Sequence, residues 1–187
     1  MTREPHVVLL PAAHVWWRVA DTAWDDPLDA TWADRTGGRW NSPGDGPTLY
    51  LSADVESACA QVPRMLRGTA IDAEDLRDNA PFVLVPVALP ARQRVADATS
   101  DTGLVALGLP RTYPNRPRGG EVPWSACRRA ARAVRVAALR GVSARSAATQ
   151  DGSGRELAWF PAAGAKARAA GPTVRFADWR HADAGPG

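Results

Sequence analysis

Cysteine, histidine and lysine are all scarce in this 187-residue chain. The two cysteines, Cys59 and Cys127, lie far apart, each on the apolar side of an expected helix. That excludes a disulfide framework and makes both small core residues. Three scattered histidines, His6, His14 and His181, complete no recognisable ligand spacing, so no metal site is expected. Of the 23 basic residues only Lys166 is a lysine, and with abundant Ala, Gly and Pro this suggests G+C-rich coding. Those bases are spread along the chain and nearly balanced by 20 acids, leaving a net charge of +3. Direct binding to nucleic acid is therefore not expected. No apolar run approaches the roughly 20 residues of a membrane helix. The early "VVLL" is cut off by Pro11, too short for a secretory signal, so a cytoplasmic protein is expected. There is no Gly-x-Gly-x-x-Gly after a strand, no Walker loop and no His-Glu-x-x-His, which disfavours standard nucleotide-binding and zinc-hydrolase chemistry. No internal repeat is visible.

What is present is an ordinary hydrophobic fraction, 45%, in a length that suits one domain. "HVWWRVA" alternates, with Val15, Trp17 and Val19 on one face and Trp16 and Arg18 on the other, which predicts a strand. Residues 20–36 are polar with Trp24 and Trp32, a long loop or a short helix. "TLYLS" is a short strand. Val55, Ala58, Cys59, Val62 and Leu66 form a helical stripe capped by Ser52 or Asp54, and Pro63 kinks or shortens that helix. "PFVLVPVAL" is a buried strand pushed toward an edge or bulge by Pro86. Residues 90–123 are expected to be irregular. A helix follows from about Trp124 to Arg140, with Trp124, Cys127, Ala131, Val134 and Ala138 inward and Gly141 ending it. Its Arg128, Arg132 and Arg135 are assigned to a solvated face. "GVSARSA", "ELAWFP" and "TVRFADW" read as turn-linked strands. Strands and helices mix without βαβ alternation, so the fold class is α+β. Residues 1–13 form an N-terminal extension, 14–180 the domain, and 181–187 a flexible tail.

One stretch asks for more than a fold. "GGRWNSPGDGPTLYLS", residues 37–52, sets an Arg-Trp pair inside a turn. Gly, Pro, Asn and Ser belong in turns for backbone reasons, whereas Arg39 and Trp40 do not. With "WWRVAD", "LYLS", an Ala-x-x-Gln helix and "GVSAR…ELAWFP", the stretch resembles the RES domain family, in order over roughly residues 14–161. The resemblance implies a fold similar to ADP-ribosyltransferase toxins, with twisted, mostly antiparallel sheets and flanking helices. It implies chemistry on NAD+ as a substrate rather than a prosthetic group: hydrolysis, phosphorolysis or ADP-ribosyl transfer. It further implies a toxin neutralised by a helix-turn-helix antitoxin; a homodimer is a further expected assembly.

Carried onto this chain, the resemblance makes Arg39, Tyr50, Gln61 and Ser143 candidate catalytic residues. Arg18, Arg39, Trp40, Asn41 and Tyr50 are candidate NAD+ contacts. A guanidinium grips pyrophosphate oxygens bidentately, which suits Arg18 and Arg39. Gly37 and Gly38 would admit the ligand close to the backbone. Tyr50 offers a ring and a hydroxyl to nicotinamide. Each has a plainer reading: Arg18 on a strand surface, Trp40 in a wall or the core, Tyr50 as a strand aromatic, Ser143 as a turn former with Ser146 competing for its place. Arg39 alone has no local structural need.

Gln61 departs from the family, whose helix carries a glutamate at that position. Breaking the nicotinamide–ribose bond builds positive charge on the sugar, which a carboxylate stabilises and an amide does not. Glu56, five residues earlier, points about 140° away on a helix of 100° steps. Either the helix is shifted, another acid such as Glu121 or Glu156 enters, or the domain is catalytically impaired and binds NAD+ or a partner without turnover.

Overall fold

The computed structural model describes residues 4–149 and 151–180. In chain order the elements are β1 (Val7–Leu9), β2 (Trp16–Asp21), α1 (Thr31–Thr36), β3 (Leu49–Ser52), α2 (Val55–Cys59) and α3 (Val62–Met65). There follow β4 (Phe82–Ala88), β5 (Arg94–Ala98), α4 (Asp101–Ala106), α5 (Trp124–Val136), β6 (Gly141–Arg145), β7 (Arg155–Trp159), β8 (Arg168–Ala169), β9 (Val174–Arg175) and α6 (Phe176–Trp179). A short 3-10 turn at Ala73–Asp75 precedes β4.

The described strands form one nine-stranded sheet in the order β1-β5-β6-β7-β3-β2-β4-β8, with β9 also on β4. All pairs are antiparallel except β5 with β6. The domain is α+β with a mostly antiparallel sheet. Helices α4 and α5 bury Leu104, Cys127, Ala131 and Val134 against Ala96, Val142 and Ala144 of the sheet. Elsewhere α2, α3 and α6 bury Ala58, Cys59, Val62, Phe176 and Trp179 against Val19, Phe82 and Leu84. Both cysteines are core residues, in different clusters. A third cluster joins Trp16, Leu49, Leu51, Val85, Val87 and Trp159.

Local chemistry sets several boundaries. Asp54 caps α2, its carboxylate accepting from the Ser57 N–H at 2.6 Å. The helix breaks at Ala60–Gln61, and Pro63 sits in the first turn of α3, where its missing N–H is not needed. Pro86 falls in the gap between β9, which pairs with Val83 and Leu84, and β8, which pairs with Val87 and Ala88. The proline thus interrupts the neighbour rather than β4 itself.

Five sequence expectations need correction. "TVRFADW", read as a strand, is one only at Val174–Arg175 and turns into helix α6 at Phe176. Residues 7–9, assigned to an extension, form β1 and pair with β5. The stretch 90–123 contains β5 and α4, the latter capped by Ser100, whose Oγ accepts from the Gly103 N–H at 3.1 Å. Helix α5 ends at Val136, and Ala138 turns the chain at φ 56°. Gly141 instead opens β6, where a Cβ would run into the Ala158 carbonyl. Trp124 and Ala138 are exposed and not inward, Trp124 at 47%. The proposed tail, 181–187, lies outside the described residues.

Candidate active site

The turn between α1 and β3 is tied together from within. Gly38 donates to the Asn41 carbonyl at 2.9 Å. The Tyr50 hydroxyl accepts from the Trp40 N–H at 2.8 Å and donates to Asn41 Oδ1 at 2.7 Å. Asn41 Nδ2 reaches the Ala33 carbonyl at 2.5 Å. A Cβ at Gly38 would meet Tyr50 Cζ at 2.7 Å, so this glycine admits the tyrosine ring rather than a ligand. Burial raises the Tyr50 hydroxyl above its ordinary range.

Helix α5 clamps the same turn from outside. Arg128 Nε donates to the Gly38 carbonyl at 2.9 Å, Arg132 Nη1 to Ser42 Oγ at 3.1 Å, and Arg135 Nη2 to Thr48 Oγ1 at 2.7 Å. Their i, i+4, i+7 spacing puts them on one helix face. These arginines were expected on a solvated face; the face they occupy is docked on the turn.

Arg39 and Trp40 diverge. The Trp40 indole enters the α5 core with no exposure, and its Nε1 donates to Glu156 Oε1 at 3.2 Å. Arg39 turns the other way, its Nη2 donating to Glu121 Oε2 at 2.7 Å and its Nη1 to the Val122 carbonyl at 3.3 Å. Glu121 also receives Arg64 at 2.5 Å and Arg67 at 3.8 Å. Burial pushes the Glu121 carboxyl up, but the bonds and charges of Arg39 and Arg64 outweigh it and hold the group below its ordinary value.

A cavity of about 460 Å³ opens beside this turn, within the size range of small-molecule sites. Trp17, Trp24, Trp32 and Trp124 line it, together with Arg18, Arg39, Arg64 and Arg67. Tyr50 and Ser52 of β3, Gln61 at the α2–α3 break, and Glu156 of β7 also line it. Arg18 lies 5.6 Å from the Trp24 ring centre. Its Nη1 is buried with no hydrogen-bond partner among the described residues. Burial lowers the Arg18 pKa to about 10 despite the pull of Asp26 and Asp29. Burial likewise raises the Glu156 carboxyl, against the bond from Trp40 and the charge of Arg39.

The structure thus brings Arg18, Arg39, Tyr50 and Gln61 to one cavity. Trp40 and Asn41 stand behind its wall, where they hold Glu156 and Tyr50. Ser143 does not line the cavity; it sits in β6 opposite Leu157. Ser146 does not line it either, and is wholly buried with its Oγ accepting from the Ala148 N–H at 3.1 Å. Sequence reasoning missed Arg64, Arg67 and the aromatic walls. For Trp24 and Trp32 a signal existed, since bulky aromatics in a polar, Asp-rich loop have no core to fill.

No metal-holding group of three or more His, Cys, Asp or Glu occurs among the described residues, and none of their helices is long and apolar enough to cross a membrane. Among solved structures, the fold is similar to that in the crystal structure of the M. tuberculosis MbcT–MbcA toxin–antitoxin complex. The TM-score is 0.66 at 22% identity, covering 89% of this chain and 88% of that one. Comparison with curated proteins gives no match. The RES domain matches residues 15–178, nearly the whole described chain, and the protein belongs to that family.

Proposed function

We propose that this RES domain binds NAD+ in the tryptophan-lined cavity and breaks its nicotinamide–ribose bond, as the toxin of a toxin–antitoxin pair. The observation that carries the reading is Arg18. A buried guanidinium nitrogen without a partner is costly, and here it lines a cavity walled by flat aromatic rings. A ligand with a pyrophosphate and planar rings answers both features. Arg18 takes the diphosphate oxygens, Arg39, Arg64 and Arg67 extend the positive wall, and the tryptophans stack the rings. The similarity to a chain in a toxin–antitoxin complex supports the toxin reading at the level of fold. A helix-turn-helix antitoxin, a cytoplasmic location and self-association belong to the same proposal.

In the reaction the C1′–N bond breaks with its electron pair leaving on neutral nicotinamide, and the ribose carries the positive charge. Water, phosphate or a protein side chain then supplies the new bond at C1′ and releases a proton. A second reading rests on Gln61. Its neutral amide lines the cavity where the family motif carries a glutamate, which favours NAD+ binding without turnover. Incubation of purified protein with NAD+, following nicotinamide release and measuring affinity by calorimetry, separates the two. Release supports the enzyme, binding alone supports the impaired domain, and neither result removes the NAD+ site.

A further inference from the structure

We infer that Glu156 on β7, and not the residue at the family's helix position, is the carboxylate that faces the ribose as nicotinamide leaves. This rests on the NAD+ reading above and names the group that makes the reaction feasible in a chain with Gln61.

Glu156 is the only acid that lines the cavity among the described residues. It stands opposite Ser52 in the β3–β7 register, one alternation along the strand from the Tyr50 pair. Residues two apart on a strand share a face, so Tyr50, Ser52 and Glu156 present one surface to the ligand. Glu121, the other acid near the site, is consumed by Arg39, Arg64 and Arg67 and is absent from the cavity wall. That division matters. With Glu121 holding the arginines, Glu156 makes no ion pair among the described residues, and a cation forming in the cavity would draw out the charge that burial disfavours.

The carboxylate is also aimed. Trp40 Nε1 donates to Oε1 at 3.2 Å. A tryptophan in the Gly-Arg-Trp-Asn turn therefore acts as a positioning residue. Its indole is locked in the core, and its N–H fixes one oxygen of a residue that lines the cavity. Pre-set electrostatics of this kind need no reorganisation when charge appears. The charged and titratable groups around Glu156 are Arg39 from the turn, Arg64 from α3, Tyr50 from β3, Tyr113 from the 107–123 loop and Cys127 from α5. Positive charge forming on the ribose adds to the pull of the two arginines and favours the ionised carboxylate when it is needed.

The balance of the step is simple. The C1′–N pair departs with nicotinamide, Glu156 forms no bond and keeps its charge, and a water lone pair closes on C1′ as its proton passes to solvent. The test compares wild type, Glu156→Gln, and the exchanged pair Glu156→Gln with Gln61→Glu. Glu156→Gln should lower the rate of nicotinamide release on the order of 10²-fold, with NAD+ affinity changed less than about threefold, because the charge it answers exists mainly in the transition state. The exchanged pair should recover part of that rate. Trp40→Phe, which removes the aiming N–H together with part of a buried ring, should shift the acid limb of the rate–pH profile toward higher pH; with its fold checked by circular dichroism, this variant also decides the matter should Glu156→Gln fail to fold. Unchanged turnover in Glu156→Gln, an equal loss of affinity and rate, or an unmoved profile in Trp40→Phe overturns the assignment and leaves the NAD+ reading standing. Wild-type binding without release overturns it too, and absence of both binding and release removes both.

Discussion

Arg18 and Arg39 line one cavity and live in opposite circumstances. Arg39 is satisfied: Glu121 and the Val122 carbonyl take its two terminal nitrogens, and it is 6% exposed. Arg18 has a buried Nη1 with no hydrogen-bond partner among the described residues and a pKa brought down to about 10 by burial. A paired arginine holds a structure together, and an unpaired buried one costs stability for the sake of something else. The comparison separates a satisfied guanidinium from an unsatisfied one on a physical ground that residue type alone does not supply.

The comparison is most easily broken at Arg39. Arg39→Ala should cost about 3 kcal/mol of folding stability, the upper end for a charged hydrogen bond, read by denaturant unfolding. It should also weaken NAD+ by roughly 1.5–3 kcal/mol; full stability in this variant would show that the Glu121 pair is idle. Arg18→Met should part from it on the stability side alone. Affinity for NAD+ falls about 30-fold, or ~2 kcal/mol, while the melting temperature holds or rises because an unpaired buried group is gone. A drop in melting temperature with unchanged affinity would make Arg18 a scaffold residue. Tyr50→Phe should cost about 1–2 kcal/mol of stability by leaving the Trp40 N–H and Asn41 Oδ1 unpaired, and urea titration measures it.

Smallest of all is Glu121→Gln, below about 1 kcal/mol because the wild-type carboxylate is partly exposed and solvent-screened. Its value lies in pH. A carboxyl held below its ordinary value by Arg39 and Arg64 stabilises the fold above that ordinary value. The contribution fades as pH falls through the lowered pKa. Wild type should thus lose a small increment of stability under acid that Glu121→Gln never has. Parallel melting curves across pH 2–6 for the two proteins would remove the pair from the ledger of the fold.

Much of the architecture was legible in sequence where one period or one residue dominates. The alternation at 15–19, the Asp54 cap and the disruption by Pro63 all rest on local rules, and each has its counterpart in β2, α2 and the α2–α3 break. The stretch 90–123 was misjudged because β5 is a short, half-polar strand whose burial comes from β1 and β6 on either side. Nothing within five residues announces that. The arginines of α5 show the same limit. Their spacing gives a face, but only the tertiary fold decides whether solvent or a turn meets it. Arg39 is the sharpest case. Its turn has no local use for a guanidinium, yet Glu121 and Val122, about 80 positions away, do. The sequence showed an unusual residue, and the distant partner was invisible.

The pairing of β3 with β7 carries a consequence for how the molecule comes into being. Trp40 and Glu156 meet across 116 positions, and Tyr50 gains its neighbour Ala158 across a similar span. Contacts of such separation form late, after the intervening chain has closed its loops. A nascent chain stopped before Arg155 already holds Arg18, Arg39, Tyr50 and Gln61, but lacks the strand that lies beside β3 and supplies the cavity's carboxylate. The cavity wall is therefore completed only after Glu156 has been made and β7 has paired with β3.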